Sequence, residues 1–368
     1  MQLYNPKNER IKRDYFRYLK EADQKAESTI DGVRKAIGRL EAYTGFKDLA
    51  TFNKEQAIAF KKWLARTKTE RNGEPLAKST LLSTINALKA FFKWLSCQPG
   101  YRSRIRGTDI EYLNLSENET RAAKAPRFKT FPTLEQIRAL IFTMRAKSDV
   151  ELRDRALIAF TILTGMRDRA LASLRLKHVD LGRALVLQDP REVRTKRSKR
   201  IDTFFFPVGA DIEQIAIDWI RFLREERLYG NDDPVFPRTR VSQDGNCSFA
   251  VQGLEPVFWS GTGPIRQIFR DAFERANLPY FNPHSFRDTL AQLGERMCQT
   301  IEHFKAWSQN LGHEHAQTTL TSYGSIGPHR QGELVRSVAI DREQGDGIMD
   351  REMLEQLRRL MRVAKAAA

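Results

Sequence analysis

Leu152-Arg153-Asp154-Arg155-Ala156-Leu157-Ile158-Ala159-Phe160-Thr161-Ile162-Leu163-Thr164-Gly165-Met166-Arg167 is the stretch on which the fold of the second half of the chain turns. From Leu152 to Thr164 a helix would be apolar on two sides, so it must lie centrally and be covered by other elements. Thr164-Gly165 stops it. Arg167 then falls just past the turn, where its guanidinium is presented at the floor of a pocket. An isolated arginine more often ends in a surface salt bridge, and only further residues can decide otherwise.

Around this stretch the pattern is mainly α with a small β-sheet. Thr133 and Gln136 fit a capping box that opens the domain at Pro132. Ala184-Leu185-Val186-Leu187 and Thr203-Phe204-Phe205-Phe206 read as a strand pair, separated by the basic stretch Arg191 to Arg200. Helical periodicity resumes over Ile212–Leu228, Pro264–Ala276 and Ser285–Met297.

The first part of the chain reads as about four helices in a compact domain. Ile30, Val33, Ile37, Leu40 and Tyr43 recur at three- and four-residue steps, with Gly45 as a stop. Asn53 and Gln56 start a helix carrying Phe60, Trp63 and Leu64. After a Gly73–Pro75 turn, Leu81, Leu82, Ile85, Leu88, Phe92 and Leu95 form another stripe. Residues 117–131 lack periodicity and read as a linker. The expected organisation is a helical domain over 1–116, a linker over 117–131, an α+β domain over 132–340 and a tail helix over 341–368. In that tail Asp350 caps a helix whose Met353, Leu357, Leu360 and Ala364 form one narrow apolar stripe.

The 368 residues suffice for two domains with their own cores. Lys and Arg outnumber Asp and Glu by 62 to 46, a net charge of +16 that favours a polyanionic partner. Cys97, Cys247 and Cys298 are far apart, against a disulfide framework or cysteine zinc site and in keeping with a reducing compartment. The first residues show no apolar signal core, and the richest apolar run, Ala156 to Leu163, is too short to span a membrane. The expectation is a cytosolic or nucleoid-associated protein without a membrane partner.

Five short frames follow one another in the second half: Thr164-Gly165-Met166-Arg167, Arg194-Thr195-Lys196-Arg197-Ser198-Lys199, His284-Ser285-Phe286-Arg287, Leu311-Gly312-His313 and Tyr323-Gly324. Two arginines, a lysine, two histidines and a tyrosine suit phosphodiester cleavage without a metal. Arginine forks neutralise a phosphate, lysine or histidine moves a proton, and tyrosine becomes covalently attached. Arg287 lies one helical turn beyond His284, so both can face one side. His313-Glu314-His315 also raises a metal reading, but no cysteine or carboxylate pair completes a ligand set nearby. No cofactor or metal is expected.

At these residues the chain resembles the tyrosine recombinase family of phage integrases and related strand-exchange enzymes, strongly over 155–330 and more weakly over 1–115. The resemblance implies a helical, SAM-like core-binding domain on one side of duplex DNA and an α+β catalytic domain on the other. It implies Tyr323 as nucleophile, Arg167 and Arg287 on the scissile phosphate, His284 as base, and His313 as a donor to a non-bridging oxygen. Lys196 would protonate the departing 5′ oxygen, with Lys199 competing for that role. Arg194, Arg197, Lys199 and Arg200 would contact DNA. Self-association into a synaptic tetramer is implied, with accessory DNA-bending or directionality factors as possible partners. Three departures stand out: Ala170 occupies a place usually acidic, so Asp168 or another group must brace Arg167; Asp288 stands where histidine is common; and the step from His313 to Tyr323 is one residue longer than is common. A type IB topoisomerase-like enzyme and a non-catalytic DNA-binding regulator are the rival readings.

Overall fold

The computed structural model describes residues 4–69, 73–125, 130–243 and 249–313. Tyr323, Glu314, His315 and the expected tail helix lie outside the described residues. The chain divides into two compact units, residues 1–125 and 126–368.

The first unit is helical: α1 (Pro6–Glu21), α2 (Glu27–Thr44), α3 (Lys54–Arg66), α4 (Lys78–Leu95), the single turn α5 (Gly107–Ile110) and α6 (Glu117–Lys124). Its core joins the expected stripes, with Ile37, Leu40, Phe60, Leu88, Phe91 and Phe92 all fully buried. Gly45 ends α2 in the left-handed conformation, φ 63°. Asn53 starts α3 by accepting the Gln56 N–H at 2.9 Å.

The linker expected over 117–131 is a correction. Residues 117–124 form α6, opened by a capping box in which Ser116 Oγ accepts the Glu119 N–H (3.2 Å) and Glu119 accepts the Ser116 N–H (2.9 Å). No residue of α6 is buried, so no apolar period marks it; cap chemistry and the Glu117–Arg121 pair (3.2 Å) hold it instead. The first unit therefore runs to Ala125 rather than to residue 116.

In the second unit α7 (Leu134–Thr143) begins with the expected Thr133–Gln136 capping box. Then comes α8 (Asp149–Thr164), whose residues 156–164 are all buried. The hydroxyls of Thr161 and Thr164 donate to the Leu157 and Phe160 carbonyls at 2.7 Å, which satisfies them inside the core. Gly165 closes α8 with φ 59°, and a Cβ there would lie 2.9 Å from both Leu290 Cδ1 and Leu311 Cδ2. Glycine is required twice over, for its φ and for the close approach. The one-turn helix α9 (Asp168–Leu171) follows immediately.

The small sheet is β1 (Val179–Asp180), β2 (Leu185–Gln188) and β3 (Ile201–Phe204), antiparallel in the order β1-β2-β3. Leu185 pairs with Phe204 and Gln188 with Ile201, so the two main strands sit one or two residues from their expected limits. Phe206 leaves the strand because its N–H donates to Leu163 O (2.7 Å) while its ring enters the core. After α10 (Ala210–Arg221) the chain takes a π-helical turn over Phe222–Glu226, shortening the helix expected to Leu228. The hairpin of β4 (Arg238–Gln243) and β5 (Phe249–Glu255) was not expected; β4 is largely exposed, so it carries no two-residue alternation. The helices α11 (Gly263–Arg275), α12 (Ser285–Met297) and α13 (Ile301–Asn310) complete the described part.

Candidate active site

Three segments meet at Arg287. It sits in the first turn of α12 and is 2% exposed. One guanidinium nitrogen donates to Gly165 O and the other to Leu311 O. The buried fork thus joins the Thr-Gly-Met-Arg turn to the Leu-Gly-His turn, two segments more than a hundred residues apart in sequence. The second nitrogen also lies 3.0 Å from His313 Nε2.

That last contact settles the state of the His313 ring. Arginine can only donate, so Nε2 must accept, and in the neutral imidazole the proton sits on Nδ1. Burial, followed by the electrostatic effects of Arg287, Arg167, His284 and Lys199 in that order, pushes His313 down to about 3. The ring is therefore neutral at physiological pH.

Arg167 is the residue before α9, half-buried, and its carbonyl accepts the Ala170 and Leu171 N–H groups (2.9 and 3.0 Å). His284 is exposed at the start of α12, with its N–H on Asn282 Oδ1 (3.0 Å). Arg167, His284, Arg287 and Lys199 all act electrostatically on His313. Lys196 is exposed at the start of the β2–β3 turn, where Arg197 and Ser198 take φ values of 61° and 50°. Arg200 pairs with Asp202 at 3.2 Å, and the Arg194 guanidinium reaches Ser260 O at 3.5 Å. Tyr323 lies outside the described residues.

Glycine again marks a close approach beside the site. Gly312 has φ 72°, and a Cβ there would come 2.7 Å from Ile201 Cδ1. The first residue of β3 therefore packs against the backbone next to His313, which couples the lysine-bearing turn to the histidine.

Sequence reading offered Asp168 as a brace for Arg167 but missed Arg266 and Ser173, which join it to the rest of the arrangement. Asp168 Oδ2 accepts from Arg266 Nε (3.1 Å) and Nη2 (2.8 Å), and Oδ1 caps the Arg169 N–H (2.9 Å). Ser173 Oγ donates toward Arg169 O (3.1 Å) and accepts the Arg194 N–H (2.9 Å), linking the helix after Arg167 to the β2–β3 loop. Arg266 is 98 positions from its partner and Ser173 is 21 from its own, so no local motif announces either. Among the described residues no three His, Cys, Asp or Glu side chains converge as a metal site requires. Among them, too, no helix is long and apolar enough to cross a membrane.

Residues 131–327 match the model of the phage integrase family. A tyrosine recombinase XerD of Vibrio cholerae is 28% identical over 228 residues, 59% of this chain; the match spans 65% of that relative's length. Among solved structures, a lambda integrase dimer bound to a COC′ core site superposes with a TM-score of 0.59 at 14% identity, covering 87% of this chain and 78% of the other. A lambda integrase tetramer bound to a Holliday junction gives 0.56 at 15% identity, covering 87% and 80%. At such low identity these two speak for the fold. With more than half of the sequence inside the family model, the chain belongs to the phage integrase family of tyrosine recombinases.

Proposed function

We propose that this tyrosine recombinase cuts and rejoins duplex DNA at specific sites through a 3′-phosphotyrosyl intermediate on Tyr323. The observation that carries the reading is the set of cationic groups of Arg167, Lys199 and Arg287, with the His284 imidazole beside them, gathered about one neutral buried imidazole, His313. Dense positive charge on a preorganised, partly dehydrated frame is what a phosphate needs as negative charge builds on its non-bridging oxygens. Arg167 and Arg287 are the phosphate clamp. His313 donates to a non-bridging oxygen through Nδ1–H, because Nε2 is occupied by Arg287.

In the cleavage step the Tyr323 oxygen bonds to phosphorus, its proton passing to His284. The bond from phosphorus to the 5′ oxygen breaks, and a lysine of the β2–β3 turn protonates that oxygen. Attack by the 5′ hydroxyl of a partner strand reverses the step, so the bond energy is retained without ATP. Strand exchange between two duplexes requires about four protomers, in keeping with the tetrameric lambda integrase assembly that shares the fold. Lys196 is the proton donor by motif; Lys199 competes for the role, and its charge acts on His313.

A duplex nicked near the cleavage point traps the covalent adduct as a denaturation-resistant band with the wild-type chain. Tyr323→Phe should bind the same DNA and form no band; a persisting band removes Tyr323 as nucleophile. Replacing the 5′ bridging oxygen by sulfur supplies a leaving group that needs no proton. It should rescue whichever of Lys196→Ala and Lys199→Ala has lost the donor. Joining of two duplexes into a Holliday junction separates this reading from a topoisomerase-like enzyme, which reseals one strand.

A further inference from the structure

The lysine-bearing turn is in a conformation that does not hold itself. Arg197 and Ser198 are both in the left-handed region, with φ 61° and 50°, which costs a non-glycine residue on the order of 1 kcal/mol or more. Such a turn persists where its flanks are fixed. On the β3 side the flank is Ile201 against Gly312. On the β2 side three consecutive residues are held in three different ways. Arg194 gives its N–H to Ser173 Oγ (2.9 Å), Val193 is buried in the core at 1% exposure, and Glu192 reaches out to the segment before β1.

Glu192 is held by two cationic or donor groups at once. Oε1 accepts from Lys177 Nζ at 2.7 Å, and Oε2 lies 2.7 Å from His178 Nε2. His178 Nδ1 accepts the Arg175 N–H (3.1 Å), so its ring proton is on Nε2 and is donated to Glu192. The His178 ring is 5% exposed, which leaves it one orientation. The Lys177 and His178 hydrogen bonds, in that order, hold the Glu192 carboxyl below the usual carboxylate range.

The far side of the clamp is rigid. Lys177 Nζ also binds Asp232 (2.8 Å), and the Leu176 and Lys177 N–H groups donate to Asp233 O and Asn231 O at 3.0 and 2.9 Å. Leu174, Leu176 and Val235 beneath are fully buried. The clamp thus connects the core to a backbone position four residues before Lys196.

We propose that Glu192 is a positioning residue for strand cleavage: clamped between Lys177 and His178, it sets where the β2–β3 turn delivers its lysine to the 5′ leaving oxygen. The proposal rests on the reading that a lysine of this turn is the proton donor. It assigns Glu192 no contact with DNA and no proton of its own.

The test uses the full-length chain and nicked duplexes carrying oxygen or sulfur at the scissile 5′ bridging position. Glu192→Ala should slow single-turnover cleavage of the oxygen substrate by about 10- to 100-fold, the penalty of displacing a reacting group by roughly an ångström. Cleavage of the sulfur substrate should stay within a few-fold of wild type, and half-site binding should be unchanged. Glu192→Gln, which keeps the side chain's volume, should show the same oxygen-specific loss at smaller size. Equal losses on both substrates would mean a merely structural role and overturn the proposal, as would wild-type cleavage of the oxygen substrate by both variants. Lys196→Ala and Lys199→Ala are run beside them. If neither is rescued by sulfur, the proton-donor reading itself has failed; if one is rescued and Glu192→Ala is not, only the clamp is wrong.

Discussion

Arg287 and the β2–β3 turn, assigned to one proposed site, are held by opposite means. Arg287 is held inside the protein by two backbone carbonyls and an imidazole, at 2% exposure. The turn stands at the surface, strained at Arg197 and Ser198, and is tethered on one flank through an ion pair whose partners are each about a third exposed. A buried hydrogen bond is strengthened by low dielectric and costly to leave unmade. An exposed ion pair is screened by salt and individually weak. The proposed phosphate clamp should therefore behave as part of the core, and the proposed proton donor as an adjustable attachment.

The largest effect belongs to the buried side. Arg287→Ala should abolish measurable cleavage and also destabilise the fold. Losing one preorganised donor costs roughly 2.7–4 kcal/mol in the transition state. Each buried carbonyl left without its donor adds about 1–3 kcal/mol in stability. Single-turnover cleavage and a urea midpoint read both losses; an inactive variant of unchanged stability would show that the fork is not a structural crosspiece.

Gly312→Ala comes next, because it strikes the joint between the two regions. The new methyl would meet Ile201 at a backbone φ of 72°, so a loss of about 1–3 kcal/mol is expected. Cleavage should fall as well, since Ile201 begins the strand that returns from the turn. Unchanged activity in a destabilised Gly312→Ala would uncouple the turn from His313.

His313 gives a pH signature to the core side. Its folded value is depressed to about 3, whereas a free histidine titrates near pH 6.5. Between those limits the unfolded chain binds a proton that the folded chain refuses, so stability rises with pH. Stability from this source is complete above about pH 6.5 and is lost progressively as pH falls toward 3. Urea midpoints across that window should be less steep in pH for His313→Asn. The same slope in both proteins would break the assignment of a neutral buried ring.

The smallest effect is expected at Asp168 and Arg266, an ion pair with Arg266 well exposed. Arg266→Ala should change stability by less than about 1 kcal/mol. If this pair steadies the turn of Arg167 where Ala170 offers no carboxylate, cleavage should drop several-fold and the drop should shrink at high salt. A loss as large as that of Arg287→Ala would place Arg266 on the substrate.

Residues and their order were enough to read much of this molecule. The helix of residues 149–164 is legible because a segment apolar all round has nowhere to go but the interior. Start and stop chemistry at Thr133, Asn53, Gly45 and Gly165 is legible for the same local reason: a cap acts within four residues of itself. The candidate groups Arg167, His284, Arg287 and His313 are legible from their frames. Elements without a buried face escaped: α6 and the β4–β5 hairpin carry no apolar period, so hydrophobic patterning is blind to them.

Only the tertiary structure could decide how those groups are held. The sequence contains both Arg287 and His313, but not the contact that makes His313 an acceptor at Nε2. It contains Lys199, but not the electrostatic effect of that lysine on the ring. Glu192, His178, Ser173 and Arg266 are ordinary residues whose partners lie 14 to 98 positions away. Local sequence dictates dihedrals, caps and which face is apolar, since those energies arise between near neighbours in the chain. Proton positions, strained turns and charge neighbourhoods arise between segments distant in the chain, and they exist only once the core has brought those segments together.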